Sequence, residues 1–170
     1  MGGLVMLILT PVSAVVGFVF KLFVDKFSKH QTMLKQSKIK DIEYKLKEFY
    51  FPIYTNLKNE TIVSREFVDV KSNLVFEIEK FVLQGHAENQ QIIKAHMVQV
   101  NPEPEMKVLL LQYFDHVTVY KLSHQMQKTQ DFDIFFITKT MPYPKALFAK
   151  VETEIARLRL ALDEAHGSMV

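Results

Sequence analysis

The chain contains no cysteine, which excludes disulfides, thiolate metal sites and a cysteine nucleophile together. Tryptophan is absent as well, and glycine is scarce: five in 170 residues, two of them at positions 2 and 3. No glycine-rich loop is therefore available to cradle a phosphate. No GxSxG elbow occurs. None of the six histidines forms an HxxxH or HExxH pair. Carboxylates at Glu77 and Glu79, and at Glu103 and Glu105, are spaced i,i+2, which on a helix separates them. The expectation is a chain with no cofactor, no metal, no small-molecule substrate and no catalytic role. An enzyme would have to assemble a tertiary site around Glu105, Asp115 and His116, Asp115-His116 being the sole adjacent acid–histidine pair.

Charge is scarce in one place and concentrated in another. Residues 2–20 carry no charged side chain, whereas residues 21–40 hold Lys21, Lys26, Lys29, Lys35, Lys38 and Lys40 against Asp25 alone, a local net of +5. The whole chain is only +2, so everything outside this collar nets −3. A slightly acidic domain lacks the lysine and arginine face that a nucleic-acid surface requires.

The uncharged run suggests an anchor. About 20 apolar residues span a bilayer core as a helix, and Lys21 can snorkel from its end. Pro11 is tolerated in such a helix. A cleaved signal peptide would use Val12-Ser13-Ala14, but there is no basic stretch before the run and the run continues beyond the cut. Myristoylation at Gly2 would want a hydroxyl at position 6, which is Met6. A buried core helix would show a polar face, and residues 3–20 have none. The expected organisation is an anchor over 1–24, a basic juxtamembrane helix over 25–38, and a bundle over 39–166. Six lysines after the run place the N-terminus outside or lumenal and residues 21–170 in the cytoplasm. The same lysines are expected to touch the bilayer surface, each worth ~1 kcal/mol near anionic headgroups. In that orientation the triplet Asn59-Glu60-Thr61 would not be glycosylated.

Helical spacing dominates the remainder. Ile39, Ile42, Leu46, Phe49 and Ile53 share one face, and Pro52 predicts a kink or stop. A second helix is expected over 60–83, with Val63, Phe67, Val70, Leu74, Ile78 and Phe81 inward and Gly85 terminating it. A short third covers 88–98. The string Asn101-Pro102-Glu103-Pro104-Glu105 offers an N-cap, a proline at the first helical position and acids facing the positive end of the macrodipole. The helix it starts would bury Met106, Leu110, Tyr113, Val117 and Tyr120, and residues 123–131 read as a loop. After Met141-Pro142-Tyr143-Pro144 comes a final helix with Leu147, Val151, Ile155, Leu158 and Leu162 inward, closed by Gly167. One apolar stripe per helix is what an antiparallel bundle needs to bury a shared core. The fold class expected is all-α: a membrane helix followed by an antiparallel bundle of four to five helices.

Two aromatic clusters are candidate docking points for other proteins. Phe49, Tyr50, Phe51 and Tyr54 flank Pro52, and on a helix they wrap more than one face; core packing at the bend is the preferred reading of them, and a partner-docking site the sharper alternative. Phe132, Phe135 and Phe136 lie in a short apolar run, 132–137, that reads as an isolated strand or a hydrophobic plug.

The layout of an apolar start, a lysine-rich helix and the step Lys47-Glu48-Phe49-Tyr50-Phe51-Pro52-Ile53-Tyr54, closed by a proline-initiated helix over 144–165, resembles a loose group of short single-pass helical proteins of unknown function from bacteria and large DNA viruses. The resemblance implies no catalytic residues. Together with the anchor-plus-adaptor layout it points to a structural or adaptor protein of a larger assembly at a bilayer, such as a minor capsid protein tying a viral shell to an internal membrane. A membrane-active toxin or lysis protein is the other alternative.

Overall fold

The structure is a computed structural model that describes the backbone of residues 3–66, 73–127 and 142–167, and within these the side chains other than those of 3–17, 19, 64–79 and 126–127. All of its regular structure is helical: α1 Gly3–Tyr44, a π-helical turn Lys45–Tyr50, α2 Phe51–Glu66, α3 Asn73–Val100, α4 Pro104–Gln127 and, in chain order, α5 Leu147–Gly167. No strand occurs among the described residues. The expected run at 132–137 lies outside them.

Cross-helix pairs set the topology. Tyr44 bonds His96 and Gln99, while Asn56 bonds Asn89, so α3 runs antiparallel to the α1–α2 rod. Arg159 covers Phe51 and Phe148 stacks on Tyr54, so α5 does the same. Gln90 reaches Thr118 and His86 contacts Tyr120, making α4 antiparallel to α3. Four rods thus form an antiparallel bundle. Its core takes three of the expected stripes: Ile42, Leu46, Phe49 and Ile53 meet Leu110, Tyr113 and Val117, with Leu147, Val151 and Leu158 closing another side, and Ile93 and Val100 come from α3. Of the stripe expected over 63–81, Phe81 is instead exposed, Val63 is half-buried, and the side chains of Phe67, Val70, Leu74 and Ile78 lie outside the described residues.

Five local expectations are corrected. Of the kink or stop expected at Pro52, the stop does not occur: the chain passes through it, with a local π distortion just before it. A proline in an α-helix removes a donor and crowds the carbonyl one turn back. Here the preceding turn widens, and the Phe51 N–H donates to the Leu46 carbonyl, an i→i+5 bond. The π turn reorganises the ladder just where Pro52 would disrupt it. Gly85 likewise ends nothing, since it lies inside the 28-residue α3. The expected second and third helices are therefore redrawn: α2 ends at Glu66, and 73–100 is one helix. Asn101 is the residue that ends α3, with φ of 45° and its N–H bonded to the Met97 carbonyl. It is a left-handed cap of α3, not an N-cap of α4. Helix α4 starts instead at Pro104, its first full bond running from Lys107 N–H to the Glu103 carbonyl. At its far end α4 continues through 123–127, where a loop was expected; the Ser123 hydroxyl donates back to the Val119 carbonyl.

A Cβ added at Gly85 would meet the Glu60 Oε1 at 3.6 Å and the Asn56 Cβ at 3.8 Å, ordinary van der Waals distances. Glycine inside a helix is less stable than alanine by roughly 0.5–1 kcal/mol. Gly85→Ala is therefore expected to raise the urea midpoint of the protein by a corresponding amount. A lowered midpoint would show that the α2–α3 approach has no room for the methyl.

Helix α1 is 42 residues long, about 63 Å at the rise of an α-helix. Among its described side chains, only those of the last turns, from Ile39, enter the core. Every described side chain from Phe18 to Lys38 is exposed, including Phe20, Phe23, Phe27 and Leu34. The helix is a stalk standing off the bundle. Among the described residues no helix is long and apolar enough to cross a membrane. The expected anchor falls largely on positions whose side chains lie outside the described residues, 1–17 and 19.

Candidate functional site

The structure distributes the residues singled out in the sequence unevenly. Lys21, Lys26, Lys29, Lys35, Lys38 and Lys40 are all exposed along α1, on several faces of the stalk. Phe49 and Tyr50 are 0% and 1% exposed, the two rings meeting edge to face with centroids 5.0 Å apart. They are core, so core packing at the bend holds for these two and their candidacy as docking residues is corrected. Phe51 and Tyr54 stay half-buried at the α2–α5 seam, under Arg159 and against Phe148 respectively. Phe132, Phe135 and Phe136 lie outside the described residues.

The tertiary site considered for an enzyme is not assembled from the expected residues. Asp115 is exposed, and Glu105 is an exposed partner of Lys150. His116 is buried among the rings of His86, Tyr120 and Tyr143.

A different polar cluster occupies the bundle interior. Tyr113 from α4 is fully buried, and its hydroxyl lies 2.8 Å from His86 Nδ1 and accepts from Asn89 Nδ2 at 2.9 Å. The same hydroxyl donates to Glu60 Oε1 at 3.3 Å. His86 Nδ1 is itself 2.9 Å from that carboxylate oxygen, with both side chains about nine-tenths buried. Asn56 of α2 completes the chain by donating to Asn89 Oδ1 at 3.0 Å. A proton on His86 Nδ1 lies between the Tyr113 hydroxyl and Glu60 Oε1 and is shared by them, because two lone pairs facing each other at 2.9 Å would repel. Burial, reinforced by the Glu60 charge, pushes the Tyr113 phenol far above its ordinary range. No buried side-chain polar atom among the described residues lacks a hydrogen-bond partner.

Helical spacing explains how the cluster forms. Asn56 and Glu60 are i,i+4 on α2, while His86 and Asn89 are i,i+3 on α3. Each pair occupies the inward stripe of its helix, beside Leu57 and Ile93. A cavity of about 210 Å³ opens next to it, with Asn56, Asn59, Glu60, Gln84 and Glu88 in its lining. Chemically the cluster can hold and share a proton between a carboxylate, an imidazole and a phenol. No group of three or more His, Asp or Glu suited to a metal ion occurs among the described residues. Its evident structural role is register. Sliding α3 by one residue would strand four polar groups in the core, at about 1–3 kcal/mol each.

No protein-family model matches the chain, and neither the curated proteins nor the solved structures contain a match.

Proposed function

We propose that this chain is a membrane-anchored adaptor, held at a bilayer by its N-terminal helix and presenting the four-rod bundle to other proteins. The observation that carries this reading is the continuity of α1. One unbroken helix joins the uncharged run at 2–20 to the core residue Ile42, with an exposed, lysine-rich segment between. A soluble domain has no packing reason to extend a helix with Phe18, Phe20, Phe23 and Phe27 all in water. Lipid around residues 2–20 supplies that reason. Lys21 and Lys26 then fall at the headgroup level, and confinement to a surface raises the effective concentration of the bundle for partners there.

The test is fractionation of the full chain. Wild type is expected in the membrane pellet after alkaline extraction and to float with liposomes. Leu7→Lys combined with Val15→Lys is expected to move most of the chain to the soluble fraction. A lysine near the centre of a spanning helix costs roughly 2.5–3.5 kcal/mol on insertion scales, so the pair lowers insertion by several orders of magnitude. Wild type that stays in the supernatant, folded and monodisperse without detergent, would sink the proposal.

A further inference from the structure

A groove of about 400 Å³ runs between the C-terminal half of α3 and the N-terminal half of α4. Its apolar walls are Ile93, Met97 and Val98 from one helix and Leu111 and Phe114 from the other. These are poor residues to leave in water: Val98 is 92% exposed and Leu111 47%. The charged side chains in the lining are Lys94 and Lys107, one on each wall, with no acid between them. Lys94 also sits over the Phe114 ring at 5.6 Å. Further along, the Lys121 amine donates to Gln90 Oε1 at 2.9 Å. Its pKa is lowered, by burial first and by Lys94 second. The end of the groove is fixed, because Asn101 closes α3 through its bond to Met97.

We infer that this groove docks an acidic amphipathic helix from a partner protein. Ile93 is the buried floor of the groove, while Met97 and Val98 on one wall and Leu111 and Phe114, at i,i+3 spacing, on the other line it with the apolar surface that receives the stripe of a helix. Lysines on both walls meet carboxylates on either flank of that stripe, which fixes orientation and speeds encounter. A bilayer lipid is the competing occupant, and the stalk argues against it. Tyr44 bonds His96 and Gln99, so the groove lies at the level of residue 44. That is about 36 Å along α1 from Phe20, whereas headgroups extend only about 5–8 Å beyond the hydrocarbon. The choice of protein over bilayer lipid rests on the anchor reading, while the groove stands without it.

The experiment uses the full chain in nanodiscs of neutral phosphatidylcholine and a synthetic helical peptide of about five turns. The peptide has Leu at i, i+3, i+4 and i+7, Glu on both flanks and a single Trp. The chain has no tryptophan, so all Trp emission reports the peptide. Saturable binding is expected, weakened about tenfold when Lys replaces the peptide's Glu, and about tenfold by Lys94→Glu with Lys107→Glu. Both lysines are exposed, and an unchanged far-ultraviolet circular dichroism melt confirms that the variant is folded. Equal binding of acidic and basic peptides, or affinity within twofold after the charge reversals, would overturn the inference. So would oleate binding that the reversals abolish while the peptide does not bind, or self-association that they abolish. Incorporation into the discs is read separately. If the chain stays outside them the anchor fails, and the same titration is then run in buffer.

Discussion

Phe49→Ala is expected to destabilise the bundle by about 3–5 kcal/mol, the usual loss for truncating a buried phenylalanine. The ring is fully enclosed, against Tyr50 and the stripe of Leu46 and Ile53. Its removal leaves a cavity that rigid helices cannot close by collapse. Against a total stability of roughly 5–15 kcal/mol, this would lower the melting temperature by on the order of 10–20 °C. Phe51→Ala is the informative comparison. That side chain is half-buried beneath Arg159, with the guanidinium carbon 4.8 Å from the ring centroid. Its loss should be nearer 1–2 kcal/mol, from partial burial plus roughly 0.5–1 kcal/mol of cation–π contact. Urea or thermal melts of the two variants distinguish core from docking surface. If Phe49→Ala melted like wild type, the aromatic step would be a surface after all.

The second large effect is alkaline. Tyr50 and Tyr113 are neutral in the fold, and burial raises both phenols above the usual value of 10.0, helped by Glu154 for Tyr50 and by Glu60 for Tyr113. Glu154 stays close because Arg157 grips both of its oxygens, at 2.8 and 2.6 Å. The sign follows from proton linkage. Below pH 10 folded and unfolded chains hold these protons equally, and the stabilisation is complete. Above it the unfolded chain releases them and the fold does not, so stability is lost as pH rises. Each phenol contributes a slope of about 1.4 kcal/mol per pH unit, so the two together give about 3 kcal/mol per unit above pH 10. Tyr143, raised by burial and then by Glu60, steepens the decline. Denaturant melts between about pH 9 and 11.5 should show it, with tyrosinate absorbance of these residues appearing together with unfolding. Tyr113→Phe should flatten the slope by about 1.4 kcal/mol per unit while lowering stability at neutral pH, because Asn89 and His86 lose their shared partner. Free ionisation near pH 10 in a protein that keeps its helical signal would contradict this account.

Much of the bundle was readable because its stripes obey one period. Leu147, Val151, Ile155 and Leu158 were expected inward from spacing alone, and all four are buried. Readings that failed were local rules overruled by the surrounding packing. Pro52 and Gly85 are helix breakers in isolation, yet each is carried through, by a widened turn in one case and by continuous packing against α2 in the other. Asn101 showed its preference correctly, as a residue that tolerates positive φ, but for the helix before it instead of the one after. The Glu60–His86–Tyr113 cluster went unseen because its members are far apart in the chain. A faint signal was present: Asn56, Glu60, His86 and Asn89 interrupt apolar stripes at inward positions, where an unpaired polar side chain would be costly. Which interruption meets which depends on the helix pairing, and that is a tertiary fact.

The stalk has a rotational consequence. An unbroken α-helix turns about 100° per residue, so the azimuth at which the bundle presents the α3–α4 face is locked to the N-terminal segment through α1. Deleting one residue between Phe20 and Lys38 shortens the stand-off by only about 1.5 Å but swings that face through about a quarter turn or slightly more. Deleting seven restores the phase to within about 20° while lowering the bundle by about 10 Å. Height and heading are therefore separable in this molecule, and a rigid neighbour would be more sensitive to the heading.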